Sequence, residues 1–167
     1  MKIKKMRASI IISSDSGYQG TREDLSGPVI REILERSGYE IIEQVLLPDE
    51  QELLSEKLKE ICDSRQADLL ITTGGTGFSG RDRMPEATKA VIEKEVPGIP
   101  EAMRAYSMQL TKRAMLSRGT AGIRNRTLII NLPGSPKAVR ECLEYILPEL
   151  EHGLEVLIGE AHNCARE

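Results

Sequence analysis

Tryptophan is absent from this chain, and phenylalanine occurs once among its 167 residues. A core must therefore be aliphatic, which suits buried parallel strands of Ile, Leu and Val. The chain's few aromatics, one Phe and four Tyr, form no stripe interleaved with basic residues. No basic block compensates, because the net charge is −3 with both signs mixed along the sequence. Neither a nucleic-acid surface nor an anionic-membrane surface is indicated. Cys62, Cys142 and Cys164 are an odd set without C-x-x-C spacing, giving neither a disulfide framework nor a zinc signature, and a reducing cytoplasm fits. No apolar run approaches the length of a membrane span. The basic opening, residues 1–7, leads into an apolar run that ends at residue 12, too short for a signal peptide. Asn125-Arg126-Thr127 spells a glycosylation acceptor, which in a cytoplasmic chain is coincidence.

What the chain does have is an alternation of short aliphatic runs and amphipathic stretches. A strand is expected over 8–13, then a polar loop over 14–24, and then a helix capped by Ser26, with Pro28 in its first turn and Gly38 at its end. A second strand over 39–47 and a helix over 50–65 follow, with Leu54, Leu58, Ile61 and Cys62 along one stripe. A third strand, 68–73, enters a glycine-rich loop. Helices are expected over 85–95 and 99–109, strands over 118–123 and 127–132 joined as a hairpin, and a last helix opening at Ser135 and Pro136 that Pro148 should break or kink. The class is α/β: a three-layer fold with a mostly parallel sheet covered by helices on both faces, and ligands outside the carboxyl ends of the strands. The length suits one domain spanning 1–167, with 160–167 as a frayed tail. In that tail His162 and Cys164 make a poor metal site, and His152, Met103, Met108 and Met115 read as ordinary helix, core or interface residues.

The densest signal is Ile71-Thr72-Thr73-Gly74-Gly75-Thr76-Gly77-Phe78, where an apolar strand stops in glycines and hydroxyls. Such a run costs backbone entropy and buries nothing, so it implies close approach of main-chain N–H groups to a ligand. Gly75-x-Gly77-x-x-Gly80 nominally fits the dinucleotide fingerprint, but that fingerprint must open directly into a helix. Here Arg81-Asp82-Arg83-Met84-Pro85 intervenes, and no Gly-Lys-Ser/Thr closes a Walker loop. A different anion-binding loop is expected. Two further polar loops leave strand ends: Ser14-Asp15-Ser16-Gly17, and Pro133-Gly134-Ser135-Pro136-Lys137. Ser135 reads as a helix cap, whereas Lys137 opposes the helix dipole in the first turn, a conflict that a docked phosphate relieves. Asp49, three residues before Glu52, has the spacing of a capping box. Asp82 reads either as a solvated partner of Arg81 or Arg83, or, with Asp49, as a ligand of Mg²⁺ bridging phosphates.

These residues carry a resemblance. The glycine run with Arg81-Asp82 and Pro85-Glu86-Ala87-Thr88, then Ala114-Met115-Leu116-Ser117-Arg118, Ala121-Gly122-Ile123-Arg124 and Leu128-Ile129-Ile130-Asn131-Leu132-Pro133-Gly134, resemble the molybdopterin adenylyltransferases. That family includes the bacterial Mog and MoaB proteins and the G domains of gephyrin-like proteins. Ser14-Asp15 and Asp24-x-Ser26-Gly27-Pro28 also match, so the resemblance runs from about residue 10 to 159. It implies the molybdopterin-binding fold, a homotrimer, and a Mg²⁺-dependent reaction in which ATP and molybdopterin give adenylylated molybdopterin and pyrophosphate. It also implies that the essential aspartates are Asp49 and Asp82, that Thr73, Gly74, Gly75, Thr76 and Gly77 form the pterin-pocket loop, and that Ser117, Arg118, Pro133, Gly134 and Ser135 bind substrate. Ser14, Asp15, Arg81 and Lys137 complete the expected substrate contacts, and other proteins of molybdenum-cofactor synthesis are expected partners. Arg83-Met84 departs from the family's common Val-Thr and sets a positive charge beside Asp82. The competing readings are a molybdopterin-carrying module without adenylyl transfer, and a hydrolase of similar fold.

Overall fold

The computed structural model describes residues 5–159. Six strands make one sheet: β1 (Arg7–Ser13), β2 (Glu40–Leu47), β3 (Leu69–Thr73), β4 (Lys94–Glu95), β5 (Ala121–Arg124) and β6 (Thr127–Leu132). Their spatial order is β2-β1-β3-β6-β5-β4, with β1, β2, β3 and β6 parallel and β5 and β4 antiparallel additions at one edge. The helices are α1 (Asp15–Tyr18), α2 (Ser26–Arg36), α3 (Gln51–Asp63), α4 (Met84–Lys89), α5 (Gly98–Leu110) and α6 (Pro136–Ile158), with a 3-10 turn at Lys112–Leu116.

Side chains on a strand alternate between faces, so each aliphatic run feeds two cores. Ile10 and Ile12, Leu69 and Ile71, and Leu128, Ile130 and Leu132 point to the face covered by α2, α5 and α6. Ile11, Leu70 and Ile129 point to the other face, covered by α3 and α4 through Leu54, Leu58, Ile61, Met84 and Ala87. The result is the expected three layers, and the central strands β1, β3 and β6 are almost wholly buried.

Several local expectations change. The 14–24 loop contains a helical turn, α1, whose cap is Ser14. Ser26 is the first residue of α2 and does not cap it; Asp24 Oδ1 accepts from the N–H groups of Ser26 and Gly27 at 3.0 and 3.1 Å instead. The helix at 85 ends at Lys89, because Lys94–Glu95 pairs with β5 at the sheet edge. Gly122 permits that approach, since a Cβ there would lie 2.7 Å from the Lys94 carbonyl. The strand expected from 118 begins at Ala121. The hairpin turn is present, with Asn125 at φ +52°. Pro148 does not end α6, which runs on to Ile158. Leu147, Leu150 and Leu154 are buried on both sides of the exposed proline, and that packing outweighs a cost of about 3 kcal/mol.

Candidate active site

The loops that leave the carboxyl ends of β1, β3 and β6 meet, because those strands are neighbours at the sheet centre. Between them lies a cavity of about 360 Å³ lined by Ser14, Thr73, Gly74, Gly134 and Ser135, five of the expected residues. Two hydroxyls fasten the third loop: Thr73 Oγ1 donates to the Pro133 carbonyl at 2.6 Å, and Ser26 Oγ to that of Gly134 at 2.7 Å. Ser135 caps α6 by accepting from Ala138 N–H at 3.2 Å. Lys137 is exposed and does not line this cavity.

The glycine loop owes its composition to neighbours already present. Gly74 has φ +88°, and a Cβ there would sit 2.2 Å from the Ser13 carbonyl. Gly75 has φ +69°, and a Cβ on Gly77 would approach Asp82 Oδ2 to 2.8 Å. Arg118 braces the loop from behind. Its N–H bonds the Thr76 carbonyl, its Nε the Gly77 carbonyl at 2.7 Å, and its Nη2 the Asp82 carbonyl at 2.9 Å, while Nη1 pairs with Glu86. Burial raises the Glu86 carboxyl, but the Arg118 bond and charge, a backbone N–H and the charge of Arg83 together outweigh it, and the net direction is down. Ser117 is held beside this brace, its carbonyl accepting from Arg104 Nη1 at 3.3 Å. Arg118 and Thr73 are therefore committed to shaping the loops.

The acidic residues form a network across three loops. The Asp15 carboxylate takes two bonds from the Arg81 guanidinium, both 2.9 Å, and a third from Asp49 N–H at 3.0 Å. Asp49 reciprocates, accepting from Asp15 N–H at 2.9 Å and from Ser13 Oγ at 2.5 Å. Asp49 is thus no helix cap: Glu50 holds that position in α3 and makes no side-chain cap bond. The Arg81 bond, with the Asp49 backbone bond, holds the Asp15 carboxyl below its usual range, and Asp15 in turn raises Arg81. Asp82 pairs with neither Arg81 nor Arg83 among the described residues. Its Oδ2 accepts from Ser79 N–H at 2.9 Å. That bond stands in place of an ion pair, and Arg81, next to Asp82 in sequence, joins their loop to Asp15 and, through Asp15, to Asp49.

Ser13, Arg22, Asp24, Leu25 and Ser26 also line the cavity and were not among the expected site residues. Asp24-x-Ser26-Gly27 was visible as a motif. Arg22 and Leu25 carried no signal, because only the turn at Ser16, whose carbonyl accepts from Thr21 and Arg22, brings them over the cavity. His162 and Cys164 lie outside the described residues. Among the described residues no three Asp, Glu, His or Cys side chains gather as a metal site.

Comparison with known proteins agrees with this geometry. A family model described as "Probable molybdopterin binding domain" matches residues 9–152. A molybdopterin adenylyltransferase of Helicobacter pylori is 42% identical over 159 residues, 94% of this chain and 90% of the relative. That of Escherichia coli K12 is 39% identical over 142 residues, 83% of this chain and 72% of the relative. Among solved structures, the molybdopterin biosynthesis enzyme MoaB of Thermus thermophilus superposes with a TM-score of 0.87 at 45% identity, covering 92% of this chain and 97% of its own. The tungsten cofactor synthesizing protein MoaB of Pyrococcus furiosus gives 0.84 at 36% identity, covering 93% and 98%. With the fold, the glycine loop and the aspartate network in place, this chain belongs to the molybdopterin-binding family that includes the molybdopterin adenylyltransferases.

Proposed function

We propose that the protein transfers AMP from ATP to the terminal phosphate of molybdopterin in a Mg²⁺-dependent reaction, as a cytoplasmic homotrimer. A phosphate oxygen of molybdopterin attacks the α-phosphorus of ATP, the bond from that phosphorus to the β-phosphate bridge breaks, and pyrophosphate leaves. The attacking monoester is largely dianionic near neutrality, so no general base is required. The chain's own task is placement. The observation that carries this reading is the network of Asp49, Asp15 and Arg81, with Asp82 next to Arg81 in sequence, which gathers carboxylates and a guanidinium on the loops that follow β1, β2 and β3.

The donor set fits Mg²⁺. This ion takes one or two carboxylates with waters and substrate phosphates, so two aspartates without a third acidic ligand suit a metal that arrives with the nucleotide. Asp49 and Asp82 would hold it, and when bound it supplies neutralisation of phosphate charge. Ser14 and Ser135 offer hydroxyls to the substrate, and Arg22 a cation, from the lining of the cavity. Arg118 and Thr73 keep the loops shaped before either substrate enters.

Purified protein with molybdopterin, ATP and Mg²⁺, its products resolved by chromatography, should yield adenylylated molybdopterin and pyrophosphate. ADP and phosphate would move it to the hydrolases. One observation favours a carrier module instead: both Asp49 oxygens already accept protein bonds. Tight molybdopterin binding without ATP turnover would establish that reading. The exposed stretch of Met108, Leu110, Met115 and Leu116 supports the trimer. Light scattering should give three times the 18.6 kDa chain mass, and a monomer mass would refute it.

A further inference from the structure

We propose that Arg22 is the residue that holds a substrate phosphate in the cavity between the loops that follow β1, β3 and β6. This rests on the reading above, in which phosphate-bearing substrates enter there, and it gives one side chain a charge that the motifs assign to Arg81, Arg118 and Lys137. None of those three is available to the cavity. Arg81 spends its guanidinium on Asp15, in two bonds of 2.9 Å. Arg118 spends its own on the Gly77 and Asp82 carbonyls and on Glu86. Lys137 does not line the cavity. Arg22 does, and its guanidinium has no hydrogen-bond or ion-pair partner among the described residues.

The hydroxyls of the lining narrow the choice further. Ser13 donates to Asp49, Ser26 to the Gly134 carbonyl and Thr73 to the Pro133 carbonyl, so these three have no proton left for an anion. Ser135 accepts from Ala138 N–H, which leaves its own O–H as a donor. Two carboxylates line the cavity as well. The Asp24 oxygens accept from Ser26 and Gly27 N–H at the start of α2, where the helix dipole offsets their charge. Glu23 has no such partner among the described residues, and Arg22 is the lining cation that cancels it. The backbone beneath Arg22 is fixed on both sides. Gly20, at φ +77°, reverses the chain after α1, and the Ser16 carbonyl accepts from the N–H groups of Thr21 and Arg22 at 3.0 and 3.3 Å. Only the side chain must order on binding, so little affinity is lost to entropy. A guanidinium stays charged at any physiological pH, and its planar fork matches two phosphate oxygens. The polyphosphate chain of ATP and the monoester of molybdopterin share that chemistry.

The test uses the full chain and titrates it with pyrophosphate in a calorimeter, without metal. The wild type should bind, and Arg22→Gln should weaken binding about tenfold. Arg22→Lys should weaken it less, since it keeps the charge and loses only the fork. Glu23→Gln should tighten it by removing a repulsive charge. Arg22 and Glu23 are exposed, so the melting temperatures should hold. Steady-state kinetics of Arg22→Gln then tell the two phosphate sources apart. A raised KM for ATP places the polyphosphate chain against the guanidinium, and a raised KM for molybdopterin places the monoester there. Wild-type protein that ignores pyrophosphate at millimolar concentration, or an Arg22→Gln variant that binds it as the wild type does, would overturn the assignment. The two readings fail separately. Pyrophosphate affinity that depends on Arg22 in a protein making no adenylylated molybdopterin sinks only the enzymatic reading, whereas adenylyl transfer by Arg22→Gln with both KM values unchanged sinks only this one.

Discussion

The two ends of the sheet carry the same chemical unit and use it differently. At the amino ends, buried Asp68 accepts from Arg7 N–H at 2.9 Å and from the Arg7 guanidinium at 3.2 and 2.9 Å. At the carboxyl ends, Asp15 accepts two bonds from a guanidinium and one from a backbone N–H, but from Arg81 and Asp49 on two different loops. The first is a rivet between the adjacent strands β1 and β3. The second is a junction of half-buried Asp15 and Asp49 with exposed Arg81, three residues far apart in sequence. A bidentate pair is thus no sign of function in itself; what distinguishes the site is that its partners come from several elements and leave charge facing solvent.

The sharpest way to strengthen that contrast is Asp82→Asn. The amide oxygen can still accept from Ser79 N–H, so the melting temperature should hold. Turnover should fall about 10²–10³-fold as positioning and charge neutralisation are lost. Near-wild-type turnover would place Asp82 with the structural pairs. Asp49→Asn should be equally inactive, and also less stable by about 1–2 kcal/mol, since an amide cannot accept from both Ser13 and Asp15 N–H.

Next in size is Gly74→Ala. The positive φ and the Ser13 carbonyl 2.2 Å from the new Cβ should cost about 1–3 kcal/mol or more in chemical denaturation, with loss of activity as the loop shifts. Gly38→Ala, at φ +90° with open space around it, should cost only about 1 kcal/mol and leave the rate alone. Equal effects on activity would mean that the glycine loop is no more special than a helix end.

Asp68→Asn should lower stability by about 1–2 kcal/mol, because the Asp68 side chain is 6% exposed and its three bonds cannot all survive. Its kcat and KM should be untouched. A changed rate would show that the two ends of the sheet are coupled. Smallest is the acid response of Asp15. Its folded carboxyl titrates below the ordinary value of 3.8, so the stability it contributes is fully present above about pH 4 and fades as pH falls through the lower folded value. Asp15→Asn should flatten that fading in acid melts and change little at neutrality, the pair being exposed.

Most of the fold was legible because its information is local. The runs feeding β1, β3 and β6 are aliphatic enough to announce buried parallel strands, and the stripe of Leu54, Leu58 and Ile61 announces α3. What local reading missed depends on distant partners. Lys94–Glu95 has neither length nor alternation, and becomes a strand only because β5 offers an edge. The Asp49 spacing to Glu52 is that of a capping box, yet a carboxylate takes its donors from whatever lies nearest in space, here Ser13 and Asp15. Arg118 could be picked out by motif, but its service as a brace rests on contacts 32 to 41 residues away. The aspartates and the glycine loop were legible as a set; how they hold one another was not.

The strand order has a consequence for the chain while it is being made. β6 sits between β3 and β5 in space, although among the described residues it is the last strand to be synthesised. Until residue 132 leaves the ribosome, the half-built sheet β2-β1-β3 ends at β3, whose five residues are all buried in the finished protein. An apolar strand with an open hydrogen-bonding edge is a template for pairing with another nascent chain. The most vulnerable moment in this protein's life therefore comes before its site exists, and the late strand that supplies Pro133 and Gly134 to that site is also the one that closes the edge.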